Sequence, residues 1–86
     1  MGTTKAELQE MLARIFETDA QALRLEWGPD QIGAWDSLGH LNLIVATEER
    51  FGVSFSTDEI ASIESIGDLV ARLREHGVAV DWPEAR

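Results

Sequence analysis

Leu8, Met11, Leu12 and Ile15 recur at i, i+3, i+4 and i+7, and the same spacing returns in Ile66, Leu69, Val70 and Leu73. A stripe of that period lies along one side of an α-helix and nowhere on a strand. Both runs open on a capping signal, Thr4 with Glu7 and Ser65 with Asp68, and the second closes at Gly77, a residue suited to a left-handed C-cap. The spacing predicts a first helix over residues 4–18, with Lys5, Gln9, Glu10 and Arg14 on its polar side, and a last helix over 66–76. Two one-sided helices need a third element between them. After Asp36, Leu38, Leu41, Val45 and Glu48 lie near one stripe with Ile44 beside it, and the run from Leu41 to Ala46 is almost wholly apolar. A helix over 37–50, stopped at Gly52, is the natural central partner, and much of its circumference should be covered. Ser56 with Glu59 is a further capping box, opening a short helix that turns Ile60 and Ile63 inward.

No stretch reads as a credible strand. Val53-Ser54-Phe55 alternates, but it is short and lacks a partner, so it is assigned to a loop. The expected class is therefore all-α: a four-helix bundle of three longer helices and one short helix, with a long loop between helices one and two. That loop, from Asp19 to Trp35, is punctuated by Gly28-Pro29-Asp30 and Gly33, yet it carries Leu23, Leu25, Trp27, Ile32 and Trp35. A segment so apolar should be pinned to the domain by its own side chains, with a short helical turn near Gln21 to Leu25. Residues 1–86 are expected to form one domain. Residues 78–86 read as a C-terminal tail in which Val78, Val80 and Trp82 are apolar enough to fold back.

Composition narrows the function. Sixteen acids against seven bases give a net charge of −9 over 86 residues, a surface that repels nucleic-acid phosphates and anionic lipid headgroups. Residues 36 to 68 hold seven acids and only Arg50 as a base, which should steer basic partners toward that half. With no cysteine there is neither a disulfide framework nor a thiolate site. No apolar run reaches bilayer length, and Met1-Gly2-Thr3-Thr4-Lys5 lacks a signal-like apolar region, so a cytoplasmic monomer without membrane insertion is expected.

Ser37 is the residue with chemistry to offer. It stands between the irregular segment and an apolar helix, where unpaired N–H groups and the positive end of the helix dipole favour a phosphate. Asp36 can take the cap and leave the serine oxygen free, although Asp-Ser is also an ordinary pair of helix starters. His40, three residues on, makes a serine–histidine dyad geometrically conceivable. The nucleophile-elbow pattern is absent, however, and no strand leads into the serine, so a hydrolase is disfavoured. Asp30 to Gly39 lacks the alternating acids of a calcium loop, and no zinc spacing occurs. A non-covalent helical interaction module stays open.

Taken together, Ile32-Gly33-Ala34-Trp35-Asp36-Ser37-Leu38, the run from Leu41 to Phe51-Gly52-Val53, Phe55 to Ile60 and Ser65-Ile66-Gly67-Asp68-Leu69 resemble the acyl carrier protein family over nearly the whole chain. The resemblance implies a carrier that is not an enzyme, bearing 4'-phosphopantetheine from coenzyme A on Ser37 through the action of a phosphopantetheinyl transferase. It also implies partner enzymes with basic patches, an acyl-activating ligase and a synthase or acyltransferase, meeting Asp36, Leu38, Glu48 and Glu49, with Asp58 and Glu59 on the short helix. Gly39-His40-Leu41-Asn42-Leu43 contains no acid. In that respect the chain is more similar to carriers of specialised fatty-acyl, polyketide or related pathways, with an aminoacyl or peptidyl carrier as the alternative.

Overall fold

A computed structural model describes residues 2–83. Strand β1 (Gly2–Thr4) leads into α1 (Lys5–Phe16), a 3-10 turn follows at Ala20–Ala22, and then come α2 (Ser37–Phe51), α3 (Thr57–Ser62), α4 (Ile66–Glu75) and strand β2 (Ala79–Asp81). The class is the expected helical bundle with a long loop before α2. The capping boxes form as the spacing predicts: Thr4 and Glu7 bond each other's backbone at the start of α1, and Ser56 and Glu59 do the same at α3. Ser65 caps α4 by accepting the Asp68 N–H at 3.0 Å. Helix α1 ends two residues earlier than predicted because Glu17 turns left-handed at φ 52°, whereas α2 ends at Gly52 in the same conformation.

The core is built from Leu8, Met11, Leu12 and Phe16 of α1, Leu43, Ile44 and Phe51 of α2, Ile66, Leu69, Val70 and Leu73 of α4, and Leu23, Ile32 and Trp35 of the loop. Gln9, expected on the polar side of the first helix, is buried instead. Its side-chain amide donates to the Leu23 carbonyl at 3.2 Å, fixing the loop to α1. The loop is held by backbone as well as by side chains: the Trp27 and Leu25 carbonyls accept the first N–H groups of α4, from Ile66 at 2.9 Å and Gly67 at 2.7 Å. Those donors have no partner within the helix, so the loop acts as its cap. Gly28 is forced by the same approach, since a Cβ there would fall well inside contact with the Glu64 carbonyl oxygen.

Two further expectations are corrected. Strands do occur, three residues each, paired in parallel with Gly2 opposite Ala79, Thr3 opposite Val80 and Thr4 opposite Asp81. Val78, Val80 and Trp82 are buried, so residues 78–82 of the expected tail belong to the core, while residues 84–86 lie outside the described residues. Arg74 secures this end by donating to the Val80 carbonyl at 2.9 Å, and the Lys5 ammonium lies over the Trp82 ring. The second correction concerns α2. Leu38, Leu41 and Val45 are not covered: they are 67%, 58% and 45% exposed. At 100° per residue they share one side with Glu49, opposite Leu43, Thr47 and Phe51, which face the bundle. Hydrophobicity on both sides of a helix left the choice of inner face open; the structure turns Leu43, Thr47 and Phe51 inward, with α1 packed against α2.

Candidate functional site

Ser37 is the first residue of α2 and is exposed. Its neighbour Asp36 is the N-cap, with Oδ1 accepting the Gly39 N–H at 2.8 Å and its own carbonyl accepting the His40 N–H at 2.8 Å. Because the carboxylate takes the cap, none of the hydrogen bonds among the described residues uses the Ser37 hydroxyl. The amides of Ser37 and Leu38 belong to the first helical turn and have no intrahelical acceptor. A hydroxyl is thus presented beside free donors at the positive end of a 15-residue helix.

Gly39 lets the helix start sit this close to the loop. A Cβ at that position would overlap the Ala34 carbonyl oxygen and press on Asp36 Oδ1. The loop end is itself locked by Trp35, which is 3% exposed and stacks on Phe16 with ring centroids 5.1 Å apart. Trp35 and Ser37 border a groove of about 660 Å³ whose other walls are Pro29, Asp30, Asp36, His40, Ala61, Ile63 and Glu64.

His40 does not serve Ser37 as a base. Its Nδ1 accepts the Trp35 indole N–H at 2.9 Å, and its Nε2 lies 2.9 Å from the Ile60 carbonyl oxygen. An indole nitrogen only donates and a carbonyl only accepts, so the ring is a neutral imidazole with its proton on Nε2. Both nitrogens are committed and no lone pair faces the serine, which removes the dyad on geometric grounds. This bridge was not anticipated. Its signal was present: Trp35 and His40 are the N′ and N4 positions of the Asp36 cap, the spacing at which a side chain before a helix packs on one in its second turn.

The acids around the site fall into two sets. Glu48 Oε2 accepts the Phe55 N–H at 2.8 Å, and Glu59 accepts the Ser56 N–H at 2.9 Å while its other oxygen pairs with His76 at 2.9 Å. The Ser56 N–H, and then His76, hold the Glu59 carboxyl below the usual carboxylate range. Together with the Asp36 cap, three of the five acids singled out in the sequence do internal structural work. Glu49 and Asp58 are exposed. No cluster of three or more His, Asp or Glu side chains able to hold a metal ion occurs among the described residues.

The site is thus an exposed serine hydroxyl at the start of α2, beside a cap supplied by Asp36. The family described as phosphopantetheine attachment site matches residues 6–73. The chain is 31% identical to the acyl carrier protein of Clostridium acetobutylicum over 71 residues, covering 81% of this chain and 91% of the relative. It is 30% identical to the acyl carrier protein of Helicobacter acinonychis over 74 residues, covering 85% and 94%. A solution structure of holo acyl carrier protein from Geobacter metallireducens superimposes with a TM-score of 0.65 at 34% identity, over 80% of this chain and 87% of that one. The chain belongs to the acyl carrier protein family, whose members are carriers with a covalent 4'-phosphopantetheine and are not enzymes.

Proposed function

We propose that Ser37 is the attachment residue and that the protein carries acyl intermediates for a specialised fatty-acyl, polyketide or related pathway. The observation that carries this reading is the exposed Ser37 hydroxyl beside a cap already supplied by Asp36. In the loading step the Ser37 oxygen would form a phosphodiester with the pantetheine phosphate of coenzyme A as the pyrophosphate P–O bond breaks, adenosine 3',5'-bisphosphate would leave, and the hydroxyl proton would be released. The amides of Ser37 and Leu38 and the α2 dipole stabilise the resulting charge. Once attached, the arm supplies a terminal thiol on which cargo is held as a thioester, the sulfur that a chain without cysteine lacks. Gly39 keeps the loop carbonyl close beneath the helix start, and Asp36 holds the first turn in register.

Partner enzymes, among them the phosphopantetheinyl transferase, an acyl-activating ligase and a synthase or acyltransferase, would read the outward side of α2. Leu38, Leu41 and Val45 give that side an apolar stripe and Glu49 gives it a negative charge, with exposed Asp36 at the N-cap of α2 and exposed Asp58 on α3 adding to the field. Exposed apolar residues ringed by acids suit partners with apolar anchors and basic rims. Glu48 and Glu59 contribute field more than contacts, since their oxygens are engaged. The specialised pathway rests on the lack of acids from Gly39 to Leu43, which leaves the first turns of the helix more apolar than its end.

The test is incubation with coenzyme A, magnesium and a broad-specificity transferase, read by intact mass spectrometry. One phosphopantetheine is added to the wild type and none to Ser37→Ala. Equal gain in both proteins rules out Ser37, and no gain in either favours a non-covalent interaction module.

A further inference from the structure

We propose that His40 is a positioning residue that sets the width of the groove beside Ser37 and thereby the course of the arm; this rests on the reading of Ser37 as the attachment residue. Helix α3 has six residues, too few to persist through its own hydrogen bonds. No residue within it is fully buried, although Ile60 packs against the core. Polar contacts from two other helices place it: Arg72 to Ser62 Oγ at 3.3 Å and His76 to Glu59 at 2.9 Å from α4, and His40 to the Ile60 carbonyl from α2.

Only the last of these lies at the groove that holds Ser37. Ile60 O is also the weak acceptor of the final turn, with the Ile63 N–H at 3.4 Å, so the imidazole gives it a shorter bond than the helix does. Ala61 and Ile63, which flank this turn, form the groove wall facing Ser37 and Trp35. On the other side the imidazole is held by the Trp35 indole. The rings lie side by side, centroids 6.2 Å apart and planes 17° apart, as an in-plane N–H···N bond requires, and Trp35 is in turn stacked on Phe16. A rigid relay thus runs from the end of α1 through the loop and α2 to α3. It fixes the distance between the serine wall and the Ala61–Ile63 wall. The occupant is the root of the arm, which starts on a residue that itself borders the groove.

The test has two stages on the full chain. Before loading, nitrogen-15 NMR of the imidazole should find His40 protonated on Nε2 only, with a coupling across the hydrogen bond from the Trp35 indole; the opposite tautomer overturns the relay. Amide exchange at Ile60 and Ile63 should then accelerate about tenfold in His40→Ala, as expected for two lost hydrogen bonds, and less in Trp35→Phe, which keeps an aromatic ring against Phe16 and leaves the imidazole its bond to Ile60 while removing the indole donor. Unchanged exchange in both also overturns it. After loading with carbon-13 pantetheine, nuclear Overhauser contacts from the arm to the Ala61 and Ile63 methyls are expected in the wild type and lost in His40→Ala. Contacts that persist there refute the positioning role, as does their absence from a fully loaded wild type. Failure to load, seen by mass, refutes the attachment reading instead and leaves the tautomer and exchange results to decide the relay.

Discussion

The Cβ that Gly39 lacks would lie far inside van der Waals contact with the Ala34 carbonyl oxygen, so the loop and the start of α2 touch backbone to backbone within the helical turn that Ser37 opens. Gly39→Ala must push them apart, and neither side is a flexible chain end. A cost of about 2 kcal/mol is expected by chemical denaturation. Loading by a transferase should slow along with it, because the same displacement shifts the serine.

Asp36 separates stability from charge. Asp36→Ala removes the acceptor for the Gly39 N–H and should cost about 1 kcal/mol, whereas Asp36→Asn, a comparable cap, should cost a few tenths. If the acid serves transferase encounter as well, the asparagine variant will load more slowly at low salt while melting like the wild type.

Acid should weaken the protein through its capping boxes. The Thr4 N–H holds the Glu7 carboxyl below its usual range, as the Ser56 N–H and His76 do for Glu59. A carboxyl lowered in the folded state binds its proton first in the unfolded chain. Its stabilisation is therefore present above about 4.5 and lost as pH falls through the folded value. Melting curves below that pH should fall less steeply in a Glu7→Gln, Glu59→Gln double variant than in the wild type.

Leu41 offers the contrasting case, being exposed and free of internal work. Leu41→Asp should change stability by no more than about 0.5 kcal/mol, yet slow reaction with partner enzymes by breaking the apolar stripe with Leu38 and Val45. A variant that unfolds would mean the stripe is structural; one that reacts at the wild-type rate would mean partners use another face.

Trp82, beyond the last helix, is 3% exposed and tied to Lys5. Trp82→Ala should cost about 3–5 kcal/mol, read by thermal melting, an effect no disposable tail would produce.

The helices were legible because their signals are local. Thr4 with Glu7, Ser56 with Glu59 and Ser65 with Asp68 each lie within four residues of their partners, and Gly52 and Gly77 mark ends by their left-handed backbone. The stripe of α4 told which side is inside since only one side is apolar. In α2 both sides are, and local periodicity cannot choose between Leu41 and Leu43; the choice is made by packing against other helices. The strands escaped notice for a related reason. Three residues carry no period, and Val80 finds its partner in Thr3, at the other end of the sequence. At the site, Ser37 and Asp36 could be singled out in advance, while the role of His40 depends on Ile60, twenty residues away.

The β1–β2 ladder also bears on how the chain is made. Gly2–Thr4 pair with Ala79–Asp81, which are synthesised only after all four helices, so the pairing is of long sequence separation. On a ribosome α1 can coil early, but its preceding strand has nothing to pair with, and Trp82 is not there to cover Lys5. Whatever order the helices assemble in, the β1–β2 ladder and the packing of Trp82 close only after residue 82 has been synthesised and has reached the rest of the bundle.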